Sequence, residues 1–278
     1  MVAHACVSEG YNVTGIHETD EDASSRIALV TGGRRGLGSA IAQALAAAGF
    51  DIAIADLMCD DDANDTLQAI RSHGRRAAFF EADIADIDRH DALLDRIQAS
   101  LGDTACLVNN AGISVETRGD LLDVTPESFD KLIDVNLRGT FFLSQKLARR
   151  FARENSPRHR SRSIINISSA NAFLIATNRA EYCISKSGIT TLTKLFAARL
   201  AELDIPVYEV RPGIFPTRMT EVARADYDAR IARGFSPVAR WGREEELAKA
   251  VASLATGCFP FCTGEAIHID GGLHIHRV

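Results

Sequence analysis

The sequence predicts an α/β protein in which one parallel sheet of about seven strands carries helices on both faces, a doubly wound arrangement. Three observations lead there. Short apolar runs alternate with helical patterns from about Arg26 to Ile269, as strands each followed by a crossover helix would. A turn with separated glycines, Thr31-Gly32-Gly33-Arg34-Arg35-Gly36-Leu37-Gly38, joins the first apolar run to the first helical one. Gly36, Asn109, Ser169 and Arg211 all end or follow apolar runs, so polar chemistry gathers at one edge of the sheet. Crossovers between parallel strands are right-handed, and ligands bind beyond the carboxyl ends of such strands, where the strand order reverses.

Taken in order, Ile27-Ala28-Leu29-Val30 places a first strand near Arg26 to Thr31, and a helical run from Leu37 to Ala48 follows the glycine turn. Further strands are expected at Asp51 to Asp56, Ala77 to Ala82, Cys106 to Asn109, Ser163 to Ser168, Pro206 to Arg211 and Ala266 to Ile269. Within the fifth, Ile164-Ile165-Asn166-Ile167 is mostly apolar and reads as a buried strand. No linker rich in proline, glycine or serine interrupts the alternation, so residues 26–278 are expected to form one domain. Residues 1–25 show no hydrophobic periodicity and are expected to be a flexible arm. Its acids Glu18, Asp20, Glu21 and Asp22, and the lack of a continuous apolar stretch, speak against secretory or mitochondrial targeting. The cytoplasm is the expected compartment.

Composition narrows the function classes. The chain has 278 residues, 46% of them apolar, enough for a sizeable core. Its formal charge of −6, from 31 basic and 37 acidic groups, argues against a general nucleic-acid or anionic-membrane surface. No apolar stretch approaches the ~20 residues that span a bilayer. Small-molecule chemistry is favoured.

Two motifs carry that chemistry. Strand, glycine-rich turn and helix in succession bring backbone N–H groups and the positive end of a helix dipole to one point, which suits a pyrophosphate. The spacing is T-G-x-x-x-G-x-G, and no Gly-Lys-Ser/Thr follows to suggest a nucleoside triphosphate loop. The second motif is Ser169 with Tyr182 thirteen residues later and Lys186 four beyond that. At i and i+4 Tyr182 and Lys186 share a helical face, where the ammonium would favour the phenolate and lower a pKa that is ordinarily ~10. A carbonyl oxygen held between the serine and tyrosine hydroxyls could take a proton as hydride reaches its carbon. Tyrosine and lysine four apart are ordinarily a solvated pair, so it is the coincidence with the glycine turn that singles this pair out.

Together these motifs resemble the short-chain dehydrogenase/reductase family, in its compact branch with a single Rossmann-like domain, and in particular its 3-ketoacyl-carrier reductases. The resemblance runs from about Arg26 to Gly272. Asn109-Asn110-Ala111-Gly112 resembles the family segment that supports the central sheet and lines the adenosine side. Asn136 matches the active-site asparagine, and Arg211-Pro212-Gly213 with Thr217 resembles the P-G-x-x-x-T segment covering the nicotinamide. Thr263-Gly264-Glu265 and Ile269-Asp270-Gly271-Gly272 resemble the closing strand and turn. The resemblance implies an NAD(P)-dependent oxidoreductase interconverting a secondary alcohol and a ketone. Tyr182 would be its acid or base, Lys186 would hold the nicotinamide ribose, Ser169 would orient the substrate oxygen and Asn136 would complete a proton relay. It assigns cofactor contacts to Gly32, Arg34, Arg35, Gly36, Leu37 and Gly38, to Asp56 and Leu57, to Asp83 and Ile84, to Asn110, Ala111 and Gly112, to Tyr182 and Lys186, and to Pro212, Gly213, Phe215 and Thr217.

The choice of cofactor turns on a conflict. Asp56 ends the second strand, where a carboxylate accepts from both ribose hydroxyls and repels a 2′-phosphate. Arg34 and Arg35 in the turn favour NADP, yet an arginine can turn to solvent or pair with Asp56 itself. NAD is favoured over NADP. Ser168 and Ser169 are adjacent, so one must be structural, and the family spacing selects Ser169.

Other features carry less. Cys258, Cys262, His268, His274 and His276 lack the paired spacing of a zinc site, so no metal is expected. The basic stretch Arg149 to Arg162 reads first as a solvated helix end and loop, with an acidic carrier protein as the sharper alternative. Substrate choice is expected from Ala170 to Glu181 and from Ile214 to Gly234, which hold Phe173, Leu174, Ile175, Phe215 and Met219 beside the polar Asn171, Asn178, Arg179, Glu181 and Arg218. A small carbonyl or alcohol is the expected partner, with no nucleic acid and no membrane. A homotetramer or dimer is expected by family resemblance, with Ile189, Leu192, Leu195, Phe196 and Leu200 giving one helix more apolar positions than a single core-facing stripe needs. The alternative function is a non-catalytic dinucleotide sensor or scaffold on the same fold.

Overall fold

The computed structural model describes residues 26–153 and 162–276. The expected arm over 1–25 and the middle of the basic stretch, 154–161, lie outside the described residues. Seven strands, β1 (Ile27–Thr31), β2 (Asp51–Asp56), β3 (Ala77–Glu81), β4 (Thr104–Asn109), β5 (Ser163–Ile167), β6 (Val207–Pro212) and β7 (Ala266–Ile269), form one sheet in the order β3-β2-β1-β4-β5-β6-β7. Every neighbouring pair is parallel. The order reverses between β1 and β4, and that is where a doubly wound sheet opens a crevice. The expected fold is borne out, with strand ends within a residue or two of those read from the sequence.

Successive strand residues point to opposite faces, and the sequence exploits this. Val30, Val108, Ile165 and Val210 enter one core with Ile41 and Leu45 of α1 (Gly36–Ala47), Ile70 of α2 (Asp61–Ser72) and Leu247 and Val251 of α9 (Glu244–Ala255). Leu29, Leu107, Ile164 and Val207 enter the other with Leu93 and Ile97 of α3 (His90–Ser100), Leu143 and Leu147 of α5 (Thr140–Arg153), and Ile189, Leu192, Phe196 and Leu200 of α6 (Ala180–Leu200). Truncating a buried leucine such as Leu107 to alanine would cost about 2–5 kcal/mol.

That second core corrects one expectation. Of the five α6 positions proposed to exceed the needs of the core, four are at most 9% exposed against the chain's own sheet and neighbouring helices, and Leu195 alone faces outward, 60% exposed. The spacing of three and four residues lays those four along one stripe, which the sheet is wide enough to cover.

Before α5, helix α4 (Pro126–Ile133) begins with Thr125 Oγ1 accepting from the Ser128 amide and proline at the first turn. It runs into α5 through a π-helical segment, Asp134–Gly139. Gly139 lies so close to the chain after β3 that a Cβ there would stand 2.4 Å from the Ile84 carbonyl oxygen. The wider turn therefore seats Asn136 against the sheet edge. Two short helices, α7 (Arg218–Glu221) and α8 (Arg224–Ala232), follow β6 and roof the same edge.

Candidate active site

A cavity of ≈ 870 Å³ lies at the carboxyl ends of the strands. On one side it is lined by Gly32, Arg34, Arg35, Gly36, Leu37 and Gly38 of the glycine turn, then by Asp56 and Leu57 after β2 and Asp83 and Ile84 after β3. Asn110, Ala111 and Gly112 follow from β4, and Pro212, Gly213, Phe215 and Thr217 close it from β6. Ser169, Tyr182 and Lys186 line the same cavity. Asn136 lies behind the wall rather than on it: a Cβ on Gly112 would meet Asn136 Oδ1 at 3.2 Å and Lys186 Nζ at 3.3 Å.

The turn is shaped for a close-lying anion. Gly32 and Gly36 have φ of +63° and +54°, which residues with a Cβ rarely adopt. A Cβ at Gly38 would stand 2.0 Å from the Gly32 carbonyl oxygen, so any side chain there would push turn and helix apart. Helix α1 has no side-chain N-cap and no acid in its first turn, so its first amides and its dipole remain available to a phosphate. Asn110 ties the turn to the next strand, its Nδ2 donating to the carbonyls of Thr31 (3.0 Å) and Gly32 (2.9 Å). These features fit a dinucleotide.

Asp56 meets Arg34 directly, while Arg35 turns to a different carboxylate. The Arg34 amide donates to Asp56 Oδ2 at 3.3 Å, the Leu57 amide donates to Oδ1 at 2.8 Å, and Arg34 Nε lies 3.5 Å from Oδ1. Arg34 also pairs with Asp60, and Arg35 lies 3.5 Å from Asp62. Each guanidinium is thus offset by a carboxylate.

The candidate catalytic side chains come from the end of β5 and from α6. Ser169 ends the chain after β5 and caps the short turn at Ala170–Ala172, its Oγ accepting from the Asn171 amide at 3.1 Å. Tyr182 is 6% exposed. Burial pushes its pKa up, and hydrogen bonding to Ser169 and then the positive charge of Arg179 oppose the rise. This differs from the sequence expectation that Lys186 would lower it. The lysine Nζ lies 5.8 Å from the centre of the ring and donates instead to the Ile167 carbonyl at 3.1 Å. Burial lowers the pKa of Lys186 itself to about 8, with the Glu209 carboxylate opposing that shift. Asn136 spends its side chain on structure: Oδ1 accepts from the Ile113 amide at 2.8 Å, and Nδ2 donates to Ile113 O and Ser185 Oγ, both at 3.0 Å.

Ser168 donates its hydroxyl to Glu209, which also accepts from Thr190 at 3.1 Å and from Arg211 Nε at 2.7 Å. This buried network occupies the Ser168 hydroxyl, whereas Ser169 Oγ accepts from the Asn171 amide; both serines line the cavity. Glu209 was not singled out from the sequence, although one acid inside the apolar strand Val207-Tyr208-Glu209-Val210 is a signal, since such a group is buried only when paired. Tyr227 and Arg230, within the expected substrate segment Ile214 to Gly234 but not singled out there, also line the cavity, as does Lys131, which was missed because its approach depends on how α4 folds over the cavity.

Among the C-terminal candidates, the donor atoms of His268, Asp270 and His274 lie within 4.8 Å of one another, and Cys258 and Cys262 are not part of that group. Asp270 holds the turn after β7, accepting from the Gly272 amide at 2.9 Å, the His274 amide at 3.1 Å and His274 Nδ1 at 2.8 Å. The two imidazoles stack 3.9 Å apart, and His276 packs against Phe173 instead.

Known proteins match over this whole architecture. A family model described as enoyl-(acyl carrier protein) reductase matches residues 32–274. A crystal structure of a 3-oxoacyl-[acyl-carrier protein] reductase from Brucella melitensis in complex with NAD is 45% identical, with a TM-score of 0.88, covering 92% of this chain and 100% of that one. A putative 2-deoxy-D-gluconate 3-dehydrogenase from Agrobacterium tumefaciens with bound NADP is 34% identical, with a TM-score of 0.79, covering 90% and 97%. The 2-dehydro-3-deoxy-D-gluconate 5-dehydrogenase of Dickeya dadantii is 33% identical over 248 residues, 89% of this chain and 94% of that protein.

Proposed function

Since the chain belongs to the short-chain dehydrogenase/reductase family and is an NAD(P)-dependent oxidoreductase, we propose that its cavity interconverts a secondary alcohol and a ketone, with NAD preferred over NADP. The observation that carries this reading is the convergence of Ser169, Tyr182 and Lys186 on the cavity that the glycine turn also lines.

A bound nicotinamide supplies the hydride in reduction and accepts it in oxidation. Tyr182 gives its hydroxyl proton to the carbonyl oxygen in the first direction and takes it back in the second. Its raised pKa keeps that proton in place at neutral pH, which suits an acid; Ser169 and Arg179 favour the phenolate as the proton leaves. Ser169 donates to the substrate oxygen and fixes it beside Tyr182. Lys186, whose Nζ reaches the Gly112 side of the cavity, holds the ribose and passes a proton on. Asn136 acts as a positioning residue, tying Ile113 after β4 to Ser185 on α6 beside the lysine.

Preference for NAD is supported by Asp56 at the end of β2 and by the carboxylate partners that offset Arg34 and Arg35. The related proteins act on a 3-oxoacyl carrier thioester or on sugar acids, and both classes present a ketone. The decisive experiment follows nicotinamide absorbance in a screen of ketones, oxo acids and acyl thioesters with each cofactor, repeated with Tyr182→Phe. Turnover lost in that variant supports the reading; equal turnover refutes the assigned acid.

Assembly as a dimer or tetramer is proposed from surface left uncovered within one chain. Ile184 and Leu195 on α6 are 50% and 60% exposed, and Phe261 beside the edge strand β7 is fully exposed. Apolar groups of that size favour burial against a second copy.

A further inference from the structure

The geometry points to Arg179 and Tyr227 as a carboxylate-binding subsite, so that the substrate is an oxo acid, or the corresponding hydroxy acid, with its carboxylate a few bonds from the reacting carbon. The inference rests on the oxidoreductase reading of the same cavity and specifies which ketones it takes. Four cationic side chains line the substrate side: Lys131, Arg179, Arg218 and Arg230. Three are already paired, Lys131 with Glu116, Arg218 with Asp62 at 3.0 Å and Arg230 with Asp226 at 2.9 Å. Arg179 meets no carboxylate among the described residues. Its Nη2 donates to the Tyr227 hydroxyl at 3.3 Å, and its Nε is enclosed without an acceptor.

An uncompensated guanidinium in a partly desolvated wall is costly unless a ligand completes it. The planar fork of arginine matches a carboxylate with two parallel hydrogen bonds. Tyr227, 8% exposed, uses its oxygen to accept from Arg179 and so keeps its own proton for the same anion. Arg118 lies over the Tyr227 ring at 5.9 Å and adds positive charge behind it. The Arg179 guanidinium carbon is 5.8 Å from the centre of the Tyr182 ring, which sets the anion near the reacting carbonyl. A phosphate on a carrier's thioester arm sits many bonds from its ketone and would fall outside this reach, whereas the carboxylate of a short oxo acid falls within it.

The test compares acetoacetate, levulinate and 5-oxogluconate, each with its methyl ester, on the full chain with NADH and NADPH. The expected kcat/KM favours the acid by about a hundredfold, the order set by a bidentate charged contact. Arg179→Met collapses that ratio to within about threefold, mainly by raising KM for the acid; the ester loses less, through the effect of Arg179 on Tyr182. Arg179→Lys keeps part of the preference, and Tyr227→Phe lowers kcat/KM for the acid by about tenfold. A parent enzyme that favours the esters, or a variant that lowers acid and ester equally, overturns the subsite. If none of these ketones is turned over, calorimetric titration of the NADH-loaded protein with levulinate and methyl levulinate still decides it. Selective binding of levulinate that Arg179→Met abolishes supports the subsite even then, and its absence refutes it, while the missing turnover counts separately against the reductase reading.

Discussion

Replacing Asp56 with asparagine removes one negative charge from the end of β2 while keeping an acceptor for the Leu57 amide, 2.8 Å from Asp56 Oδ1. A 2′-phosphate on the adenosine ribose would stand close to that carboxylate. Two unit charges ~5 Å apart at an effective dielectric of ~20 interact by about 3 kcal/mol. The Asp56 and Arg34 side chains are only 13% and 11% exposed, so solvent screens the pair weakly. Arg34 Nε, 3.5 Å from Asp56 Oδ1, already offsets part of the repulsion, leaving a net penalty on NADPH of about 1.5–3 kcal/mol, roughly ten- to a hundredfold in affinity. In Asp56→Asn the arginine is released from that carboxylate and can turn to the phosphate. The NADPH-to-NADH ratio of dissociation constants should therefore fall by about that factor, with NADH itself weakened only severalfold through a poorer ribose contact. Nicotinamide fluorescence titration at fixed ionic strength measures both. A parent protein that binds NADPH as tightly as NADH, or a variant with an unchanged ratio, would refute the reasoning and leave Arg34 or Arg35 as the dominant group.

Tyr182→Phe should cut turnover by about 10²–10⁴-fold with cofactor affinity near the parental value, because the ring still packs while the transferable proton is gone; a small loss would identify a different acid. Lys186 has a pKa of about 8 in this buried setting, so a cofactor held by its ammonium should bind with constant affinity below that pH and progressively more weakly above it. Titrations from neutral to alkaline pH test this, and a profile unchanged by Lys186→Met would exclude the role. Sedimentation at micromolar concentration should show a dimer or tetramer, and Leu195→Arg should shift it toward the monomer if the exposed face of α6 is the contact; a ~30 kDa monomer in the parent sinks the assembly.

The fold and much of the site were legible because both are written in local periods. Continuous apolar runs such as Ile27 to Val30 and Ile164 to Ile167 are what strands covered on both faces require, and the glycines of the turn stand where φ is positive or a Cβ would collide. Tyr182 and Lys186 share a face by spacing alone. The apolar excess read on α6 misled because a count of positions carries no measure of how much surface a seven-stranded sheet can cover.

By itself, then, the sequence determined the parallel sheet, the edge at which the cavity opens and the types of residue gathered there, since these follow from chain geometry over a few residues. Only the tertiary structure decided how the charges are shared out. Arg34 meets Asp56 and Asp60, Glu209 gathers Ser168, Thr190 and Arg211, and Arg179 faces Tyr227 and meets no acid among the described residues. The same holds for Tyr182, whose pKa burial raises where a neighbour on its helix was expected to lower it. Burial and long-range pairing depend on which distant segments close over a site, and no local period encodes that closure.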